Sequence, residues 1–184
     1  MGARLPVVLL WHMHQPQYRD AFTGEYVQPW TTLHALKDYA DMAAHLEANP
    51  AARAVVNFTP VLLEQLEDLA GEVRSCLEGA AALHDPVLAS LVDAAPIDPA
   101  KRLALLRALL RAQRAQMIEP LPVFRELVDI ATTLATPERI AYASDALIAD
   151  LAVWYHLAWT GETIRRGDAR VAALMAQGRG FGPA

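Results

Sequence analysis

Two imidazole side chains stand one residue apart near the start of the chain, in the segment Leu10-Trp11-His12-Met13-His14-Gln15-Pro16. Alternate residues of a strand share a face, so His12 and His14 are predicted to point the same way at the carboxyl end of a strand. Parallel α/β folds build their ligand sites at that end. The two rings could hydrogen-bond a polar ligand, bind a metal ion or contact a neighbouring loop. Their shared direction favours a site.

A second polar set lies on the helix predicted after the next loop. Its members, spaced four, three and four residues apart, are His34, Asp38, Asp41 and His45. Such a stripe is either a solvated helix face or part of a site. The two ends of the stripe are roughly 16 Å apart along the helix axis. Only the residues near the start of the helix, Trp30, His34 and Asp38, can therefore lie in one binding site with His12 and His14.

Asn57 closes the second predicted strand as the histidines close the first. Its amide could contact a ligand hydroxyl or form a turn.

The other polar and aromatic candidates favour structural roles. Surface charge is predicted for Glu64, Glu67, Asp68, Arg107, Arg111 and Arg114. Trp154 and Trp159 are predicted core residues. Cys76 has no basic neighbourhood that would make it a nucleophile.

The first strand and helix set the position of the histidines. Leu5 to His14 is an apolar stretch that predicts a strand buried on both faces, and Pro16 ends it. Thr31 or Thr32 is expected to cap a helix that runs to about Ala48.

A second strand and helix follow. Residues 54–58 are predicted to form the strand, and Thr59 with Pro60 opens a helix that ends at Gly71. The order strand, helix, strand, helix over residues 5–71 indicates a parallel α/β sheet or barrel.

A helical insertion is predicted over about residues 72–177. Its helices are expected to begin at Asp98-Pro99, near residue 123, at Thr136-Pro137-Glu138 and after Ser144 or Asp145, and Gly161 is expected to close the last of them. Two parallel strands alone make an unstable sheet. Either the insertion covers them or their partners lie beyond residue 184, and we favour the second explanation.

Length and composition restrict the class of protein. The chain has 184 residues, 54% of them hydrophobic, a formal net charge of −5 and one cysteine, which is typical of a globular protein without disulfides. A lone cysteine favours a reducing compartment, here the cytoplasm. Neither a basic field for nucleic acid nor an apolar run of roughly 20 residues for a membrane occurs. No cofactor motif is found, so no cofactor or bound metal is expected.

The segment from Leu10 to Pro16 resembles the first motif of glycoside hydrolase family 57, whose members act on α-glucans. The resemblance continues through the blocks Gly24-Glu25-Tyr26, Trp30 to Met42, Val56 to Leu69 and, more weakly, Asp150 to Trp159. The His-Gln-Pro triplet alone is a weak signal. Several blocks in one order make the resemblance specific.

The resemblance implies a distorted (β/α)7 barrel and a retaining mechanism with a glutamate nucleophile and an aspartate acid/base. It implies that His12, His14 and Gln15 line the subsite of the scissile sugar and that Trp30 shapes the same cleft. With the candidates named above, the predicted substrate-binding residues are His12, His14, Gln15, Trp30, His34 and Asn57.

Retention requires two carboxyl groups about 5–5.5 Å apart, and no pair in this sequence can be placed so. In the family, the two groups lie on later strands. Residues 1–184 are therefore expected to be one partial barrel domain, an N-terminal segment that binds an α-glucan or oligosaccharide, lacks the carboxylates and is inactive alone. Its expected partner is the missing C-terminal part of the barrel.

Two alternatives stay open. A His-x-His pair at a strand end could bind zinc in a metal-dependent hydrolase, with further ligands from elsewhere. The chain could also be a non-catalytic module that binds carbohydrate or a partner protein.

Overall fold

The structure is a computed structural model that describes residues 5–182. The strands are β1 (Leu9–Met13) and β2 (Ala54–Phe58). The helices are α1 (Trp30–His34), α2 (Ala40–Ala48), α3 (Pro60–Leu77), α4 (Pro86–Ala89), α5 (Pro99–Leu109), α6 (Pro122–Leu134), α7 (Asp145–Ala158), α8 (Glu162–Gly167) and α9 (Ala169–Gln177). Two π-helical turns (Ala35–Tyr39 and Arg114–Ile118) and a 3₁₀ turn (Ile140–Tyr142) lie between them.

The two strands pair in parallel, and α1 and α2 form the crossover between them. The register runs from Leu9 opposite Ala54 to Met13 opposite Phe58, so that His12 lies opposite Asn57. The helix-rich α/β architecture with two parallel strands agrees with the prediction, and β2 has the predicted bounds. Within residues 5–182 these two strands are the whole sheet.

The prediction that Leu5 to His14 is buried on both faces is wrong. The strand has five residues, and one side of the sheet, which we call the open face, consists of Leu10, His12, Val55 and Asn57. On this face Leu10 is 64% and Val55 56% exposed. Met13, on the opposite side, is buried. Burial on both faces requires a second covering layer, and no described element packs on the open face.

The first crossover helix begins two or three residues earlier than a Thr31 or Thr32 cap would place it, and it has no threonine cap. Trp30 is its first residue, and Thr31 and Thr32 are buried inside it. Their hydroxyls make tertiary hydrogen bonds instead: Thr31 donates to Gln65 Oε1 at 3.4 Å, and Thr32 to Asp85 Oδ2 at 3.4 Å. The predicted end at Ala48 is confirmed.

Helix α3 begins at Pro60 as predicted but continues past Gly71 to Leu77. Gly71 keeps a helical backbone, so nothing stops the helix there. The chain leaves the helix at Gly79, whose φ of +72° is the left-handed conformation that favours glycine.

The core lies in the helical region, between α5, α6 and α7. Its largest fully buried side chains include Tyr155, Phe124, Leu106, Leu109, Ile148 and Leu151. Trp154 and Trp159 are core residues, as predicted. Asp98 caps α5 and Ser144 caps α7 through their side chains, which confirms those starts.

Two predicted helix boundaries in this region are wrong. The segment after Thr136 forms only the 3₁₀ turn, because the backbone becomes extended at Ala143, whose carbonyl oxygen accepts a 3.1 Å hydrogen bond from Arg102 Nε. Helix α7 ends at Ala158, and Gly161 is the N-cap of α8 rather than the end of α7.

The turn between α7 and α8 joins the helical region to the first crossover. Gly161 N donates to the Leu36 carbonyl at 2.9 Å, and Asp41 accepts from Glu162 N at 2.8 Å and Thr163 N at 3.0 Å. Burial disfavours the ionised form of Asp41, but these two backbone hydrogen bonds outweigh it and lower its pKa.

The substitution Gly161→Ala is expected to lower the free energy of unfolding by about 2 kcal/mol. A Cβ at this position would lie 2.8 Å from Asp41 Oδ1 and 3.2 Å from the Lys37 carbonyl oxygen. Gly71→Ala is the control and should be stabilising by about 0.5–1 kcal/mol, because its Cβ would meet nothing within 4 Å. Denaturant unfolding measures both, and equal effects would contradict the close contact of this turn with α2.

Within residues 5–182, no helix combines the length and the apolar character needed to cross a bilayer.

Candidate functional site

The carboxyl ends of the two strands hold a cluster of polar side chains on the open face. His12 Nδ1 is 2.7 Å from Asn57 Oδ1. The rings of His12 and His14 stack with centroids 5.9 Å apart and planes 14° apart, which confirms that they share a direction. We call His12, His14 and Asn57 the strand-end cluster. Its side chains are exposed, so they are available to a ligand.

A second cluster lies where the first crossover helix meets the end of α7. Its aromatic members are Trp30, His34, Tyr39, Tyr155 and Trp159, and we call it the aromatic cluster. Trp159 is central: its ring centroid is 6.0 Å from Trp30, 5.8 Å from His34 and 6.3 Å from Tyr155. The edge-to-face contact with His34 has an interplanar angle of 85°, a favoured arrangement for such rings.

Gln15 connects the two clusters. Its Nε2 donates to Tyr39 Oη at 3.2 Å, and it follows directly after His14. No hydrogen bond or ring contact among residues 5–182 joins His12 or His14 to Trp30 or His34. The structure thus places the six predicted residues in two adjacent groups linked through Gln15.

The polar stripe His34, Asp38, Asp41 and His45 divides into separate parts. His34 pairs with Asp38, Asp41 caps α8, and His45 is exposed near the end of α2. The four side chains of the stripe therefore do not share one site, as their separation along the helix axis predicts.

Arg111 contacts the aromatic cluster from outside. Its guanidinium carbon lies 4.7 Å from the Trp30 ring centroid, within cation–π range, and Nη1 donates to Gln28 Oε1 at 3.0 Å. The side chain is exposed, as predicted, but it covers part of Trp30 rather than being surrounded by water alone. Arg107 and Arg114 instead bind the Ala135 carbonyl and Glu119.

Burial gives the inner edge of the aromatic cluster an unusual electrostatic character. The hydroxyl of Tyr155 and the indole N–H of Trp159 are buried without a hydrogen-bond partner among the described residues. Burial raises the pKa of the Tyr155 hydroxyl. A tyrosine hydroxyl is already neutral at physiological pH, and burial keeps that of Tyr155 protonated further into the alkaline range.

The sequence did not indicate Tyr39 and Arg111 as neighbours of the candidate site, and it favoured a core role for Trp159 over a sugar platform. Tyr39 directly follows Asp38 in the sequence, but no sequence pattern predicts its hydrogen bond with Gln15. Arg111 and Trp159 come from the insertion and reach the site only through tertiary packing. Among residues 5–182 no group of three or more His, Cys, Asp or Glu side chains is arranged to hold a metal ion.

A parallel strand-helix-strand unit with hydrogen-bonding side chains at the carboxyl ends of its strands is typical of parallel α/β folds, which place their ligand sites at that end. The family model described as Glycosyl hydrolase family 57 matches residues 8–164, and the chain belongs to that family. This confirms the resemblance carried by the His-Gln-Pro segment. Neither a curated protein nor a solved structure matches the chain.

Proposed function

We propose that this chain supplies the sugar-binding floor of a retaining glycoside hydrolase or glucanotransferase that acts on α-glucans. The observation that carries the proposal is the strand-end cluster, which lies on an open sheet face inside the stretch matched by the family. Imidazole and amide groups are suitable partners for sugar hydroxyls because each can donate or accept. Gln15, Trp30 and His34 extend the surface toward the aromatic cluster.

The catalytic carboxylates are proposed to come from further strands of the same barrel. Retention needs two carboxyl groups about 5–5.5 Å apart across the scissile bond, one of them protonated. Within residues 5–182, the ends of β1 and β2 carry histidine, glutamine and asparagine and no carboxylate. Further strands that pair at the edges of this sheet and close it into a barrel would cover Leu10 and Val55 and bring their own carboxyl ends close to His12 and His14. The lone Cys76 favours a cytoplasmic location for such an enzyme.

The chain is expected to bind maltooligosaccharides without hydrolysing them, and His14→Ala should weaken binding by about tenfold. That factor corresponds to about 1.4 kcal/mol, the scale of one hydrogen bond. Titration calorimetry measures the affinity and a reducing-sugar assay the turnover. His45→Ala is the matched control, because His45 is an exposed histidine outside the strand-end and aromatic clusters.

Several outcomes would contradict the proposal. Equal affinities of the two variants would remove the strand-end cluster from the site, and turnover by the pure chain would show that it holds its own carboxylates. Stoichiometric zinc that is lost in His12→Ala would support the metal-dependent hydrolase instead.

A further inference from the structure

The His34 ring is held at one nitrogen by a carboxylate. Nδ1 of His34 is hydrogen-bonded to Asp38 Oδ2, four residues further along the chain. An ionised carboxylate can only accept, so opposite such a group Nδ1 is the ring nitrogen that donates. In the neutral ring Nε2 is then left with its lone pair, and it has no hydrogen-bond partner among residues 5–182. His12 has the same arrangement, with Nδ1 directed to an oxygen of Asn57.

Neighbouring rings restrict the orientation of His34 further. Trp30 lies 6.2 Å and Tyr39 6.5 Å from its centroid, and Trp159 contacts it edge to face. The His34 side chain nevertheless stays 32% exposed. The ring is therefore oriented by its surroundings yet open to a ligand.

The backbone between His34 and Asp38 is fixed from outside the helix. Residues Ala35–Tyr39 form a π-helical turn, a feature found frequently at functional sites. Gly161 N donates to the Leu36 carbonyl inside this turn. The turn that presents Asp38 to His34 is thus anchored to the turn between α7 and α8.

We propose that Asp38 is a positioning residue, which holds His34 as the Nδ1–H tautomer so that Nε2 accepts a hydrogen bond from a sugar hydroxyl. The identity of the ligand rests on the proposed function, whereas the tautomer does not. A purely structural role would make the pair an ordinary helix-surface contact, which contributes little to stability. If the pair had only that role, a change of the His34 tautomer would not affect the binding of sugar.

Ring-nitrogen NMR shifts of the free protein test the first half of the proposal. At a pH of about 8, where free histidine is neutral, His34 should show a protonated Nδ1 and an unprotonated Nε2. Asp38→Ala should move the proton largely to Nε2, the form that free histidine favours. The matched control is Glu47→Gln, an exposed carboxylate in α2, and it should leave the shifts unchanged. An unchanged tautomer in Asp38→Ala would overturn the role of Asp38.

Binding tests the second half. Asp38→Ala should weaken maltooligosaccharide binding by about tenfold, the loss expected for one hydrogen bond, with thermal unfolding unchanged. Asp38→Asn is the conservative variant and should retain most of the binding, because its amide oxygen can still accept from Nδ1–H. A changed tautomer with unchanged binding would overturn the link to the ligand. If the unaltered chain binds no sugar, the proposed function fails together with the ligand part of this inference, and the NMR result still decides whether Asp38 sets the tautomer.

Discussion

Phe124→Ala is expected to lower the free energy of unfolding by about 3–5 kcal/mol, the usual cost of truncating a buried aromatic residue. Phe124 is 0% exposed and lies in the first turn of α6, within the core shared with α7. A domain of this size is stabilised by only about 5–15 kcal/mol, so the variant should lose a large part of its stability. The midpoint of urea unfolding measures the effect.

Phe22→Ala is the matched control. The same atoms are removed, but Phe22 is 100% exposed, and surface substitutions usually change stability by less than about 0.5 kcal/mol. A similar loss in both variants would show that the core does not lie between α5, α6 and α7.

Acidification is expected to destabilise the protein by about 3 kcal/mol through His156 alone. Burial lowers the pKa of His156 to about 4 from its ordinary 6.5, although Nδ1 also contacts the Ala152 carbonyl. The unfolded chain therefore binds a proton at a higher pH than the folded chain. The contribution of this residue is fully present above the unfolded pKa and is lost as the pH falls from about 6.5 to 4.

His156→Leu should remove this dependence, and His45→Gln, at an exposed histidine, should retain it. The buried carboxyl of Asp85 has a raised pKa because of burial, which changes stability with pH in the opposite direction. Both variants keep Asp85, so the difference between them isolates His156. Parallel pH profiles of unfolding free energy for the two variants would contradict a neutral, buried His156.

Strand and helix boundaries could be predicted where residues close to the boundary determine them. The bounds of β2, the end of α2 before Asn49-Pro50, and the caps at Asp98 and Ser144 were all predicted correctly. Each boundary depends on residues within a few positions of it, and residue propensities and capping rules act over that short distance. Gly71 shows the limit, because a glycine with a helical backbone does not end a helix.

The candidate site residues were chosen by their place at strand and helix ends, but the spatial grouping of these residues could not be predicted. Thr31 and Thr32 bind Gln65 and Asp85 instead of capping their own helix. Tyr39 reaches Gln15, and Arg111 reaches Trp30. Partners so far apart in sequence leave no periodic signal, so spacing could not reveal them.

The sequence by itself determined the order strand, helix, strand, helix, the shared direction of His12 and His14, and the motif blocks that mark the family. These are properties of local periodicity and residue type. Only the tertiary structure decided that the face carrying the histidines is open, that His34 packs against Trp159, and that Asp41 and Gly161 join the two regions of the chain. The reason is that burial and long-range hydrogen bonds depend on which surfaces meet, and that is settled only when distant segments pack together.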